Sequence, residues 1–283
     1  MIMRRDETKH RTRPRVGLAL SGGAARGAAH VGVLKVLLAH GVPVDCVAGT
    51  SAGALVGGAF AAGLALEELE QFALRMRWRD FGRVTLSRLG VQSNARMEEY
   101  IRAKFPATRF EELPIPFAAV ATDFDTGHAV VLKDEGDLGF AIRASCAVPG
   151  WYVPVVDGEG RRLVDGGLVS IVPVEAARAL GAEVVVAVDV NYEGAKFLGA
   201  PRSAIGVIFQ SMMHVQRSAS AHELRRADVA VLPKVGHIRW DEMSRAAELI
   251  AAGEAAAREV LPQLEALLAP PAETWTEESR ALP

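Results

Sequence analysis

Cysteine is scarce: Cys46 and Cys146 are the only two in 283 residues. They form neither a C-x-x-C pair nor a disulfide-scaffold count, and both stand among apolar neighbours. They are expected as small buried residues in a reducing cytoplasm. An excess of one charge is also missing. A formal net charge of −2 excludes the broad basic field that gathers nucleic acid. Long hydrophobic runs are absent as well, since Val44 to Leu66 is broken by Asp45, Thr50, Ser51 and many glycines. A membrane-spanning helix, which needs about eighteen or more apolar residues, is therefore not expected, and lipid contact must be peripheral. Residues 1–15 are basic and polar with no apolar segment behind them, so they do not read as a secretory signal.

What is present suits a large folded core: 50% of residues are hydrophobic and 23% charged. Val16–Leu20 is a short apolar run ending in a glycine cluster, and His30–His40 carries apolar residues at helical spacing up to Gly41. Cys46–Ala48 repeats the strand signal, and Ala52–Gly63 is a helix built largely of Ala and Gly. Such repetition predicts a three-layer α/β/α fold with a mainly parallel central sheet. Further helices are expected over Leu66–Met76, Asn94–Phe105 with Asn94 as N-cap, Val174–Leu180, Ile205–Arg225 and Ser244–Leu268. Strands are expected at Phe117–Ala121, His128–Leu132, Leu163–Val164, Glu183–Val188 and Asp228–Leu232. Asp123 and Asp125 read as formers of the turn between Phe117–Ala121 and His128–Leu132. Trp78–Gln92 has no clear period and is assigned to a lid or substrate-facing segment. A single domain is expected over 15–270, with polar tails at 1–14 and 271–283.

Gly49-Thr-Ser-Ala-Gly53 lies between a buried strand and a small-residue helix, the setting of a nucleophile elbow. Gly49 and Gly53 allow the sharp turn, Ser51 supplies a nucleophilic hydroxyl, and the helix behind it aims a positive dipole at a developing oxyanion. Ser21-Gly-Gly-Ala-Ala-Arg-Gly27 opens the first helix, where backbone N–H groups can converge on negative charge. A nucleotide phosphate would suit that geometry too. No G-x-G-x-x-G pattern fits, however, and Ala28 and Ala29 stand where a P-loop needs Lys and Ser or Thr. Asp165-Gly166-Gly167 places a carboxylate at a strand end.

These ordered motifs, together with His30-Val-Gly-Val-Leu34 and Ala144-Ser-Cys-Ala-Val-Pro149, resemble the patatin-like phospholipase family, in particular its compact bacterial members. The resemblance implies a Ser51–Asp165 dyad acting on phospholipid or lysophospholipid esters, with thioesters and neutral esters next. It also implies an oxyanion hole from the backbone of Gly22, Gly23 and Ala24, supported by Arg26, Gly27, Gly49, Gly53, Gly166 and Gly167. Ala24 replaces a usual third glycine and can donate its N–H if its φ is negative. Gly150-Trp151-Tyr152 replaces a lone aromatic and is expected at the pocket wall. No cofactor or metal is implied.

A dyad needs the carboxylate pKa raised by burial. His214, His222 and His237 are the candidates for a third member, with structural or surface roles favoured. His30 is expected to support the glycine loop without transferring protons. Arg26 and Arg143 each admit two roles, holding loop carbonyls or meeting a lipid phosphate; for Arg26 the first is favoured. Cytoplasmic placement with peripheral contact at the inner membrane is the expectation, and oligomeric state stays open. An acyltransferase, or a regulatory protein that keeps the fold without turnover, are the alternative functions.

Overall fold

The computed structural model describes residues 13–194 and 204–269. The expected C-terminal tail and all but residues 13 and 14 of the N-terminal one lie outside these. The strands are β1 (Val16–Leu20), β2 (Cys46–Thr50), β3 (Arg83–Val84), β4 (Gly90–Ser93), β5 (Phe117–Asp123), β6 (Ala129–Lys133), β7 (Gly150–Tyr152), β8 (Val155–Val156), β9 (Arg162–Asp165), β10 (Val184–Val188) and β11 (Val229–Val231). The α-helices are α1 (Ala28–Ala39), α2 (Ala52–Ala61), α3 (Leu66–Arg75), α4 (Ala95–Lys104), α5 (Leu138–Ser145), α6 (Val174–Ala179), α7 (Ala204–Leu224) and α8 (Ala246–Leu268).

The main sheet runs β11-β10-β1-β2-β5-β9-β8, parallel from β11 to β5 and antiparallel beyond, with β6 also antiparallel on β5. Alternation explains the layers. Val16, Leu18 and Leu20 point into one core with α1, α2 and α8, while Ala19, Cys46 and Ala48 face a second core with α6. Burial on both faces is why these strands read as continuous apolar runs. Helix α1 is buried almost all round because α8 covers its outer side. Their backbones approach so closely that a Cβ on Gly32 would stand 1.9 Å from the Ile250 carbonyl.

Three expectations change. Residues 78–92, which show no period in the sequence, carry regular structure: after a 3-10 turn at Trp78–Asp80, β3 and β4 form an antiparallel hairpin, and β4 pairs parallel with β7 in a second, three-stranded sheet. Asn94 precedes α4 but its side chain caps nothing; it accepts from Arg143 Nε at 3.1 Å and donates to the Arg143 carbonyl at 2.8 Å. The charge on Arg143 outcompetes an orphan backbone N–H for that amide. The final helix begins with a 3-10 turn, Met243–Arg245, ahead of α8. The Asp123 turn is as expected, with its carboxylate accepting from Asp125 N–H at 3.0 Å and Thr126 Oγ1 at 2.9 Å. Among the described residues no helix is long and apolar enough to cross a membrane.

Candidate active site

Strand β5 acts as a ruler for the site. It pairs Val120 with Thr50 at the end of β2, and its next residue, Ala121, with Asp165 at the end of β9. Ser51 and Asp165, far apart in the chain, thus emerge side by side at the sheet's edge, and both line one cleft. Thr122 Oγ1 donates to the Asp165 carbonyl at 2.8 Å, and Asp165 N–H to the Ala147 carbonyl at 2.9 Å, which pins the strand end.

Ser51 has φ 53° and ψ −119°, a conformation that L-residues avoid and that here faces its side chain into the cleft at the start of α2. Gly49 and Gly53 make the turn possible: a Cβ on Gly49 would stand 2.4 Å from the Gly53 carbonyl oxygen, and one on Gly53 2.1 Å from that of Leu20. The buried Ser145 holds the elbow from behind. Its Oγ accepts the Ser51 N–H at 2.8 Å and donates to the Val120 carbonyl at 2.6 Å. Ser145→Ala leaves both groups without that partner, so urea unfolding is expected to show a loss of about 1–3 kcal/mol. An unchanged midpoint would reduce Ser145 to a space filler.

Asp165 is buried. One carboxylate oxygen accepts the Gly167 N–H at 2.8 Å, and Oδ2 closes no hydrogen bond among the described residues. Burial pushes its pKa up to about 6, while the Ser51 hydroxyl and the Gly167 N–H draw it partly back. Cys146 also lines the cleft beside these two. Burial, then the charge of Asp165, drives its thiol pKa far upward, so it stays neutral. That sharpens its expected place as a small buried residue.

The glycine loop departs from expectation in two details. Gly22 N–H donates to the Ile171 carbonyl at 3.1 Å, closing the loop onto the segment after Asp165, so it is not a free oxyanion donor. Ala24 has φ 51°, not a negative value. Ala24 opens the 3-10 turn Ala24–Gly27 directly after Gly23, and the bend falls on it. Gly23 and Ala24 line the cleft, and among the described residues neither N–H donates to a protein acceptor. Gly27 seats the turn against Ala52, and Gly166 lies against the Val120 carbonyl.

Arg26 is buried and its Nε donates to the Ile238 carbonyl at 2.8 Å. Burial lowers its pKa, with Glu193 and Asp189 opposing that shift. It braces the loop and is out of reach of a lipid phosphate. Arg143 is committed to Asn94 and, at 3.0 Å, to Glu98. His30 Nε2 donates to the Ser21 carbonyl at 2.9 Å, and burial holds its pKa down to about 4, so it is a neutral loop support. His222 meets Arg225, His237 meets Glu248, and none of His214, His222 and His237 lines the cleft.

Sequence reasoning missed three positioning groups. Ser145 was visible only as part of a motif. Asn191 Nδ2 donates to the Gly22 carbonyl at 2.7 Å, and the Glu223 carboxylate accepts from Ser170 Oγ at 2.5 Å and Val172 N–H at 2.8 Å. A single amide in a loop and a single acid on a mixed helix carry no sequence signal of such roles.

The cleft has about 990 Å³ of space including its open mouth. Met76, Met97, Met212, Met213 and Met243 line it with Trp78, Trp151 and Trp240. The rings of Trp78 and Trp151 both meet Trp240 edge-on, at 5.8 and 6.4 Å.

Comparison with known proteins agrees with this architecture. A family model described as patatin-like phospholipase matches residues 18–178. An NTE family protein of Mycobacterium tuberculosis is 38% identical over 181 residues, covering 63% of this chain and 49% of that protein. Patatin-like phospholipase domain-containing protein 7 of Rattus norvegicus is 34% identical over 188 residues, covering 62% of this chain and 14% of that protein. The chain thus spans about half or less of the length of these curated relatives. Among solved structures, VipD from Legionella pneumophila shares the fold with a TM-score of 0.57 at 14% identity, over 88% of this chain and 67% of that one. With the matched model spanning the elbow, the glycine loop and the Asp165 turn, the chain belongs to the patatin-like phospholipase family.

Proposed function

We propose that the protein is a serine acyl hydrolase that cleaves lipid carboxylic esters through Ser51 and Asp165. The observation that carries this is the buried Asp165 carboxylate, whose Oδ2 has no hydrogen-bond partner among the described residues and whose pKa is drawn to about 6, set beside a serine in a strained elbow. Ser51 Oγ attacks the ester carbonyl as its proton passes to Asp165. The N–H groups of Gly23 and Ala24, the latter left without a protein acceptor among the described residues even in its left-handed conformation, and the N-terminus of α2 face the developing oxyanion. Collapse transfers the proton to the leaving alcohol and leaves an acyl-enzyme. Water, deprotonated by Asp165, then releases the acid and restores Ser51. No histidine lines the described cleft, which favours a dyad over a triad.

The lining also speaks for the substrate. Every methionine and tryptophan of the described residues lines this cleft. Unbranched, polarizable thioethers adapt to flexible aliphatic chains, and the indoles add rigid apolar walls. Neither Lys nor Arg lines it, so a phosphate headgroup stays outside while the acyl chain enters. The family description supports the same substrate class.

A fluorophosphonate probe tests the nucleophile. Wild type is expected to label covalently and Ser51→Ala not at all. Equal labelling of the two, or none of wild type, rejects Ser51 in this role.

A further inference from the structure

The hairpin of the small sheet carries surface that the catalytic cleft does not use. Leu86 at its tip is fully exposed, and Val84, Leu89 and Val91 are 76%, 59% and 44% exposed. The register puts Val84 and Val91 on opposite faces of the hairpin with Leu86 and Leu89 in the loop between them, so both faces of its outer end expose aliphatic side chains, an unusual display for a monomeric soluble protein and one beside the unpaired edge of β3. Around them residues 75–96 hold six arginines, Arg75, Arg77, Arg79, Arg83, Arg88 and Arg96, against one acid, Asp80, in a chain whose net charge is −2. All six arginines are exposed, and among the described residues none of them forms an ion pair. The hairpin is also tied to the cleft: β4 pairs with β7, which carries Trp151 and Tyr152, and the preceding turn supplies Trp78 and Phe81 to the lining.

We infer that the β3–β4 hairpin is a docking surface for an anionic phospholipid bilayer, with Val84, Leu86, Leu89 and Val91 entering the interface and the unpaired arginines meeting lipid phosphates. Aliphatic side chains flanked by arginine match an interface in which apolar groups settle at the acyl boundary and cations meet headgroups. The cleft's tryptophans then lie at the mouth, at the depth where indoles favour the interface. An acidic protein would satisfy the arginines but leave the leucines unexplained, and a second copy would bring like charges together. Docking rests on the acyl-hydrolase reading for its purpose, because it sets the Ser51 cleft against its substrate.

Full-length protein carrying Ser51→Ala, which spares the lipid, is sedimented with sucrose-loaded vesicles. One set is phosphatidylcholine alone, the other equimolar phosphatidylcholine and phosphatidylglycerol. Partition at least tenfold stronger onto the anionic vesicles, and weakened by salt, is expected. Arg83→Gln with Arg88→Gln is expected to reduce it about thirtyfold, at about fivefold per arginine, and Leu86→Ser with Leu89→Ser by at least tenfold. These four residues lie outside the cleft lining, so the same pairs placed in protein with Ser51 intact should keep wild-type rates on soluble p-nitrophenyl butyrate, which also reports folding. Equal partition onto the two vesicles, or no loss in either double variant, overturns the inference. A dimer seen by light scattering that dissociates in Leu86→Ser/Leu89→Ser, without vesicle binding, overturns it in favour of self-association. Anionic-vesicle binding by Ser51→Ala, with no ester hydrolysis by wild type, supports docking and rejects the hydrolase. Hydrolysis without such binding rejects docking alone.

Discussion

Asp165→Asn is expected to lower kcat for ester hydrolysis by about 10³–10⁴-fold while making the folded protein more stable at neutral pH. The amide keeps the shape of the carboxylate and its acceptor for Gly167 N–H, but it cannot take the Ser51 proton. In wild type the base must be ionised, so kcat/KM should rise with pH through a single step near 6, the value to which burial lifts Asp165. Stability runs the opposite way. A carboxyl whose folded pKa lies above its ordinary 3.8 binds its proton more tightly when folded. Its favourable contribution is complete below pH 4 and is lost as pH climbs through 6. Above that the ionised, buried carboxylate costs on the order of 3 kcal/mol, which a neutral amide largely avoids. Thermal unfolding of the two proteins from pH 4 to 8 reads this directly. The variant's advantage should grow with pH, and parallel curves would mean that Asp165 is not a buried base.

Gly53→Ala should be a severely damaging single methyl at the elbow. In an exposed helix interior the same change stabilises by about 1 kcal/mol through backbone entropy. Here the sign reverses, because the new Cβ would stand 2.1 Å from the Leu20 carbonyl oxygen and 2.7 Å from that of Ser21. Both belong to the buried backbone around β1 and cannot swing aside as a flexible side chain would. Helix α2 must lift from the sheet, at an expected cost of more than 3 kcal/mol. Because Ser51 rides on the first residue of that lift, kcat should fall at least a hundredfold in whatever protein remains folded. Chemical denaturation alongside steady-state rates separates the two effects. A wild-type unfolding midpoint would contradict the close packing of α2 on β1.

Much of this was readable before any coordinates because it depends on local pattern. Cys46–Ala48 announces a strand by its apolar run, Ala52–Gly63 a close-packed helix by its small side chains, and Gly49 and Gly53 the elbow between them. Asp123 and Gly127 mark the hairpin by turn chemistry. Other features depend on partners remote in the chain. Short, partly exposed strands such as Arg83–Val84 and Gly150–Tyr152 have no apolar run or period to detect, and they pair through β4. Asn94 has the composition of a cap, yet Arg143 claims its side chain. The left-handed φ of Ala24 follows from where the loop must bend, not from any preference of alanine. The methionine lining is assembled from α4, α7 and two connecting segments, and no single segment foretells it.

The ruler set by β5 carries a consequence for how the protein is made. Ser51 and its elbow leave the ribosome before Asp165, which arrives only after β6, α5 and the small sheet have been synthesised. Antiparallel pairing of Ala121 with Asp165 closes a long loop, a step whose entropy must be met by tertiary packing rather than local structure. With Asp165 as the proposed base, a half-made chain therefore holds Ser51 without its proton acceptor. On the proposed dyad, hydrolytic competence waits for the long-range closure of the sheet, and a chain that has not made that closure lacks its base.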